Sequence, residues 1–238
     1  MELLSLAYIY IDRWYFILIL PCVLLSLIAQ LSVHSAFNKY SKVQNRRGIT
    51  GAETAQNILN SEGIYNIKIE PVRGDLTDHY DPKSEILRLS EPVYNKSTIA
   101  AVGVAAHEAG HAIQHARNYS PMKWRQTIYP LASVGSGAGP YLAIFGLILQ
   151  HDTLFKVGIF LYAMAVLFYF VTLPVEFNAS KRALAILEQS NYLTSAEEVN
   201  GARHVLQAAA LTYVASAATA FASMLRLILI NSDNRNNG

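Results

Sequence analysis

The sequence predicts a mainly α-helical, polytopic membrane protein with about four transmembrane helices and a small α/β part at the membrane surface. Of the 238 residues, 52% are hydrophobic and only 15% are charged, which is more apolar than an ordinary soluble domain. Several uncharged stretches are long enough to cross a bilayer as helices. A long polar segment after the first of these stretches contains helix and strand patterns of its own.

The first apolar stretch covers residues 14–33 and contains no charged side chain. It has about the 20 residues that a helix needs to cross the hydrocarbon core. A cleaved signal peptide would have a basic region before a shorter apolar run, whereas Glu2, Asp12 and Arg13 precede this one. Residues 1–33 are therefore expected to form an N-terminal segment and transmembrane helix 1.

Three further apolar stretches lie at residues 127–149, 154–175 and 208–230. Each is about the length of a membrane-crossing helix. We therefore expect residues 127–175 to hold transmembrane helices 2 and 3. Residues 208–238 are expected to hold transmembrane helix 4 and a polar tail, and we expect the tail to be disordered.

Two features of these stretches need their own explanation. The stretch 127–149 contains glycines and Pro140, which would break a soluble helix, but small residues allow close packing of membrane helices. We therefore expect a span kinked near Pro140. Arg226 lies close enough to the end of the last span for its guanidinium group to reach the headgroup region.

The basic residues predict the orientation, because Lys and Arg near a membrane are retained on its cytoplasmic side. They are concentrated in the loops 34–126 and 176–207. Both loops are therefore expected to face the cytoplasm, with both termini outside. The loop residues are Lys39, Lys42, Arg46, Arg47, Arg117, Lys123, Arg125, Lys181, Arg182 and Arg203, against Arg13, Lys156 and Arg235 on the other side.

Net charge and cysteine content give limited information about binding partners. The net charge of +2 is nearly balanced, so it does not indicate a nucleic-acid partner. The single cysteine, Cys22, lies in an apolar run and cannot form an intramolecular disulfide. The lipid bilayer is the partner that the composition predicts, and the oligomeric state is not predicted.

The loop 34–126 begins with a helix signal. Thr50 and Glu53 are spaced as a capping box, and the small or apolar positions after them continue a helical pattern until Gly63. Strand-like runs follow at residues 64–69 and 86–89, separated by the polar, turn-rich segment 75–82.

A second helix is expected from about Ser97 to about Arg117, and it contains the sequence H-E-x-x-H. The spacing of four residues places His107 and His111 on one helix face, about 6 Å apart along the axis, so both rings can bind one ion. Glu108 lies in the adjacent sector, where it can hold a zinc-bound water and take its proton. These roles suit metal-assisted peptide hydrolysis. Chance occurrence with structural histidines is the alternative.

A catalytic zinc needs a third protein ligand. His115 is on the same face, but it would lie about 9 Å along the axis from the metal, far beyond a coordination bond of about 2 Å. Glu176 stands where the third span ends, and two crossings separate it from the H-E-x-x-H helix, so both lie on one side of the membrane. A carboxylate at the end of an apolar span is partly desolvated, and a bound cation would offset that cost. An interfacial glutamate in headgroup water is the alternative.

Four blocks of sequence, covering most of the chain in order, carry a family resemblance: His107-Glu-Ala-Gly-His111-Ala-Ile-Gln; Asp78-His79-Tyr80-Asp81-Pro82 with Leu87-Arg88-Leu89-Ser90; Glu176-Phe-Asn-Ala-Ser; and Ala208-Ala-Ala-Leu-Thr-Tyr-Val. They resemble the YugP-like family of bacterial membrane zinc metallopeptidases. That family is similar in its active-site plan to the HtpX-type membrane proteases, whose zinc is bound by two motif histidines and a later helical glutamate.

The resemblance implies one Zn²⁺ bound by His107, His111 and Glu176, with Glu108 as the general base, which is the gluzincin arrangement. It implies a zincin-like catalytic part at residues 34–126 and a cytoplasmic helix with the third ligand within residues 176–207. One position departs from the pattern, because Asn178 stands where Asp is common. An Asp could accept a ring N–H from a ligating histidine, whereas Asn offers only a neutral oxygen, so zinc affinity could differ.

Two auxiliary roles are weaker. Residues 86–90 precede the zinc helix, where many zincins keep an edge strand that pairs with an extended substrate. A strand that only covers the core is an equal alternative. Arg203 and His204 are candidate donors to the oxyanion that forms during hydrolysis. For Arg203, an anchoring role at the membrane interface is an equal alternative.

The expected function is that of a membrane-embedded zinc endopeptidase acting on protein or peptide substrates. A site-two-type intramembrane protease, with H-E-x-x-H inside a spanning helix, is one alternative. Charged residues on both sides of the motif, such as Lys96 and Arg117, fit it less well. A catalytically silent zinc-binding membrane scaffold is the other alternative, although such a protein would not need Glu108.

Overall fold

The fold was analysed in a computed structural model, which describes residues 12–236. The predicted fold class is confirmed: in this part of the chain, four helices are long and apolar enough to cross a membrane, and one small sheet has three strands. Glu2, used above to argue against a signal peptide, and the last two residues of the predicted tail lie outside the described residues.

The helices and strands follow in a simple order along the chain. A short π-helical segment, Tyr15–Ile19, leads directly into the first α-helix. The elements are α1 (Leu20–Tyr40), α2 (Gly51–Ser61), β1 (Lys68–Val72), β2 (His79–Asp81), β3 (Ile86–Ser90), α3 (Glu91–Tyr94), α4 (Ile99–Ala116), α5 (Ser120–Ile148), α6 (Asp152–Gln189) and α7 (Ala196–Asn236).

The chain divides into two compact units, and the apolar one comprises the residues up to Ala29, Trp124–Leu173 and Thr212–Gly238. Glycines let its helices approach closely, as expected for membrane helices. A Cβ added at Gly146 would lie 2.4 Å from the backbone nitrogen of Phe155, and one at Gly158 would lie 2.3 Å from that of Ala143. Pro130 and Pro140 both lie inside α5, which continues past them to Ile148.

Near the end of α7, Arg226 forms an ion pair with the buried carboxylate of Asp12, at 2.6 Å. One prediction for the end of this helix is wrong, because the tail is helical as far as Asn236 rather than disordered. Its charged side chains have partners, because Asp233 accepts hydrogen bonds from Arg13 and Trp14, and Arg235 pairs with Asp152.

The second unit comprises Gln30–Lys123 and Pro174–Leu211. Its first helix, α2, begins as predicted with a capping box: Glu53 N–H donates to Thr50 Oγ1 at 3.2 Å, and Thr50 N–H donates to the Glu53 carboxylate at 2.9 Å. The helix ends at Ser61, and Gly63 adopts the positive φ of 74° that turns the chain.

The sheet differs from the prediction in two places. Its first strand is Lys68–Val72 rather than residues 64–69, because Ile64 and Ile67 fill the core from a loop. Strand β2 lies within the segment that was expected to be turns. The buried ring of Tyr80 holds β2 in place, since its hydroxyl lies 2.9 Å from His115 Nδ1 on α4.

The edge-strand prediction for residues 86–90 is also wrong. The strand order is β1-β3-β2, with β1 parallel and β2 antiparallel to β3. Strand β3 is therefore central, and both of its edges are paired. Leu87 and Leu89 are fully buried, which supports the alternative that this strand covers the core.

Candidate metal centre

Helix α4 carries the H-E-x-x-H motif, and its bounds agree with the prediction. Thr98 caps its first turn, accepting a hydrogen bond from Ala101 N–H at 3.2 Å. Alanines and glycines occupy most of its buried positions, which allows neighbouring helices to pack closely around it. The motif therefore lies on a largely buried helix of the second unit.

The structure brings the three predicted ligands together. The Nε2 atoms of His107 and His111 lie 3.3 Å and 3.4 Å from Oε2 of Glu176 on α6. One ligand atom from each of the three residues can be chosen so that all lie within 4.8 Å of one another. The side chains are only 12%, 10% and 2% exposed, in the same order. Counting membrane crossings predicted Glu176 on the same side of the membrane as the motif, and in the structure its side chain lies beside the two histidines.

The chemistry of this donor set fits zinc. Two imidazole nitrogens and one carboxylate oxygen are ligands that zinc prefers, and three protein ligands are what a catalytic zinc site has. The electrostatics also favour a cation. Burial alone would lower the pKa of His111, but the hydrogen bond and charge of Glu176, together with the charge of Glu108, raise it above its ordinary value. The site therefore stabilises positive charge in a buried place.

The outward ring nitrogens of both histidines have partners that the sequence argument missed. His107 Nδ1 lies 3.1 Å from Ser180 Oγ, and His111 Nδ1 lies 3.0 Å from Gln114 Oε1. Asn178, which stands where an Asp could accept a ring N–H from a ligating histidine, accepts a hydrogen bond from Gln114. The missed signal was helical spacing, since Gln114 follows His111 by three residues and Ser180 follows Glu176 by four.

Glu108 is buried on α4 beside the cluster, close enough for its charge to act on His111. His115 does not belong to the cluster of possible ligands found among the described residues, in agreement with the prediction, and its Nδ1 atom lies 2.9 Å from the Tyr80 hydroxyl. Arg203 and His204 lie at exposed positions on α7. His204 Nδ1 lies 3.0 Å from the Tyr40 hydroxyl on α1, so its contact is with another helix of the unit.

Close packing of α4 on α6 sets the distance between the motif and Glu176. A Cβ added at Gly110 would lie 2.9 Å from the carbonyl oxygen of Ala179 and 3.3 Å from its Cα. Both are backbone atoms, so the clash could be relieved only by moving one helix. Gly110 adjoins His111, and Ala179 lies one turn after Glu176. The glycine therefore sets the ligand geometry.

We expect Gly110→Ala to destabilise the protein by about 1–3 kcal/mol, the usual cost of overpacking. The thermal unfolding midpoint of the purified protein in detergent should fall accordingly. Gly137→Ala is the matched control, because a Cβ at Gly137 meets no atom within 4 Å. That control should be neutral or slightly stabilising, since alanine suits a helix better than glycine. An equal response of the two variants would contradict the packing explanation.

Comparisons with known proteins agree with this site. The chain matches the family described as "Putative neutral zinc metallopeptidase" over residues 15–232. It is 48% identical over 211 residues to a protein of Bacillus subtilis (strain 168) named "Putative membrane protease YugP", covering 89% of this chain and 93% of that protein. No solved structure matches the chain. The chain, with its four candidate membrane-spanning helices, thus belongs to the family of neutral zinc metallopeptidases that its motifs predicted.

Proposed function

We propose that the protein is a membrane-embedded endopeptidase with one zinc ion, which hydrolyses peptide bonds of membrane or membrane-proximal proteins. The observation that carries this proposal is the convergence of His107, His111 and Glu176 in a chain of a zinc metallopeptidase family. The three side chains would hold the zinc in a gluzincin arrangement, with Glu108 as the general base.

The division of labour follows from the residues present. Bound zinc would act as a Lewis acid: it would polarise the carbonyl group of the substrate and lower the pKa of a bound water molecule to near neutrality. Glu108 takes the proton of the attacking water on its carboxylate and delivers it to the departing amine. Glu108 is buried next to the ligands, so its carboxylate is largely shielded from bulk water. Arg203 and His204 remain candidate donors to the oxyanion.

The substrate class and the orientation rest on position in the chain. Glu176 directly follows an apolar stretch long enough to span a membrane, so the site is close to the bilayer along the chain. The clustered lysines and arginines support a cytoplasmic catalytic part at residues 34–126, joined by the part of α6 that follows residue 175. Substrates would then be cleaved at the cytoplasmic surface.

The intramembrane alternative has less support. Among the residues that the structure describes, the candidate spans are the helices at Tyr15–Tyr40, Ser120–Ile148, Asp152–Gln189 and Ala196–Arg235. Helix α4, which carries the motif, is not one of them. It lies in the same compact unit as the three-stranded sheet. These observations favour a site outside the hydrocarbon core.

Metal removal tests the proposal. We expect the purified full chain in detergent to cleave unfolded casein, to lose this activity after dialysis against a zinc chelator, and to regain it with equimolar Zn²⁺. Magnesium, which prefers oxygen ligands, is the control and should not restore activity. Zinc binding with no cleavage of casein or of any membrane-protein substrate tested would instead support the silent scaffold.

A further inference from the structure

Gln114 is a fully buried amide that links the two helices of the metal centre. On α4, its Oε1 atom lies 3.0 Å from His111 Nδ1. Towards α6, its Nε2 atom donates to the carbonyl oxygen of Val175 at 2.8 Å and to Asn178 Oδ1 at 3.1 Å. One side chain thus contacts a predicted ligand on one helix and the residue before Glu176 on the other.

The partners determine which way the amide faces. A backbone carbonyl can only accept hydrogen bonds, so the atom of Gln114 facing Val175 must be the NH₂ nitrogen. The oxygen must then face His111. The second amide hydrogen is directed to Asn178, whose Oδ1 also accepts from Arg182 Nε at 2.8 Å. This charged donor identifies the Asn178 atom as oxygen and keeps it turned towards Gln114.

The fixed amide has a consequence for His111. An amide oxygen cannot donate, so the hydrogen bond forms only when His111 carries a proton on Nδ1. Metal binding requires a ring nitrogen with a free lone pair, and the hydrogen bond at the other nitrogen selects which one is available. For His111, the nitrogen left for the metal is Nε2, which is the atom 3.4 Å from Glu176 Oε2.

We infer that Gln114 is a positioning residue: it holds His111 in the orientation and tautomer that present Nε2 to the metal, and Asn178 and Arg182 hold Gln114. This inference rests on the proposed zinc site. His107 differs, because the Ser180 hydroxyl near its Nδ1 can donate or accept and so imposes no tautomer. The role of Gln114 also explains why Asn can stand at position 178, since a neutral oxygen is sufficient for a residue that faces an amide rather than a histidine.

Two variants of the full chain test the role of the acceptor oxygen. Gln114→Met keeps the approximate size but removes the acceptor, and we expect the zinc dissociation constant to rise by about 10–100-fold. Gln114→Glu loses both amide donations to α6 but keeps an obligate acceptor at His111, as in carboxylate–histidine–zinc sites. It should recover most of the lost affinity. Zinc affinity is measured by competition with a chromogenic chelator.

A second readout follows His111 directly. In zinc-loaded protein labelled with ¹⁵N-histidine, the ring N–H of His111 should exchange slowly with solvent in the wild type and in Gln114→Glu. It should exchange faster in Gln114→Met. Thr54→Val is the control for stability, because it removes the hydrogen bond from the Thr54 hydroxyl to the Thr50 carbonyl at the start of α2 and leaves His111 untouched. Its zinc affinity should equal that of the wild type.

The outcomes separate this inference from the proposed function. A Gln114→Met variant that binds zinc as tightly as the wild type would overturn the inference. A Gln114→Glu variant as weak as Gln114→Met would also overturn it, since the contact with α6 rather than the acceptor would then matter. Neither measurement depends on peptide cleavage. A wild type that binds zinc but cleaves nothing would therefore remove the proposed function and leave the role of Gln114 testable.

Discussion

Glu108→Gln is expected to lower the rate of peptide hydrolysis by about 10²–10⁴-fold, the contribution of a general base. The amide has nearly the same shape as the carboxylate, but it cannot take a proton from the attacking water. Zinc binding should be retained, because His107, His111 and Glu176 are unchanged. Cleavage of casein and bound zinc, measured on the same purified sample, check both halves of this expectation.

The control for this variant is Glu188→Gln, the same chemical change at an exposed position near the end of α6. It should cleave casein at the wild-type rate. If Glu108→Gln retained near wild-type activity with zinc bound, another group would have to act as the base. If it lost zinc as well as activity, Glu108 would be needed for metal binding, and its assignment as the base would lose its support.

Local patterns predicted most of what the structure shows. Long apolar stretches identified all four candidate spans, because the apolar length needed to cross a bilayer is a property of the stretch itself. The capping box of Thr50 and Glu53 marked where α2 begins, since capping depends on residues within one turn. Counting crossings made Glu176 the candidate third ligand, because it predicts that Glu176 and the motif share one side of the membrane.

Features that depend on contacts between distant segments were not predictable in this way. Strand β2 pairs with β3, and its Tyr80 contacts His115, 35 residues further along the chain. The central position of β3 depends on pairing with strands on both sides, whereas a single strand pattern indicates only an apolar face. Arg226 likewise pairs with Asp12, which lies 214 residues away in the sequence. Local composition could predict neither this ion pair nor the helical end of α7.

The contacts around the ligands show a mixed case. Gln114 and Ser180 occur inside the blocks that carried the family resemblance, and their helical spacing from the ligands is visible in the sequence. Their hydrogen bonds to His111 and His107 depend on how α4 and α6 pack at Gly110. Sequence spacing could nominate these residues, but only the packed structure shows which ring nitrogen each one faces.

Glu176→Gln is expected to lower zinc affinity by more than the roughly 10–100-fold typical of changes outside the ligand shell. The variant preserves the volume of a side chain that is only 2% exposed, but it replaces an anionic ligand by a neutral amide. Glu176→Ala should lose zinc as well, with an added loss of stability because it leaves a cavity. Metal analysis and the thermal unfolding midpoint of both variants distinguish the loss of a ligand from the loss of packing.

The third-ligand assignment depends on the contrast with a second carboxylate on the same helix. Glu188 lies on α6 twelve residues after Glu176 but is exposed, so Glu188→Gln removes an equal charge without touching the cluster. Zinc affinity should be unchanged in that variant and strongly reduced in Glu176→Gln. Because the Nε2 atoms of both histidines lie within 3.4 Å of Glu176 Oε2, a metal held between them would have this carboxylate beside it. Unchanged zinc in Glu176→Ala would therefore exclude Glu176 as a ligand, and a water molecule or another side chain would have to complete the site.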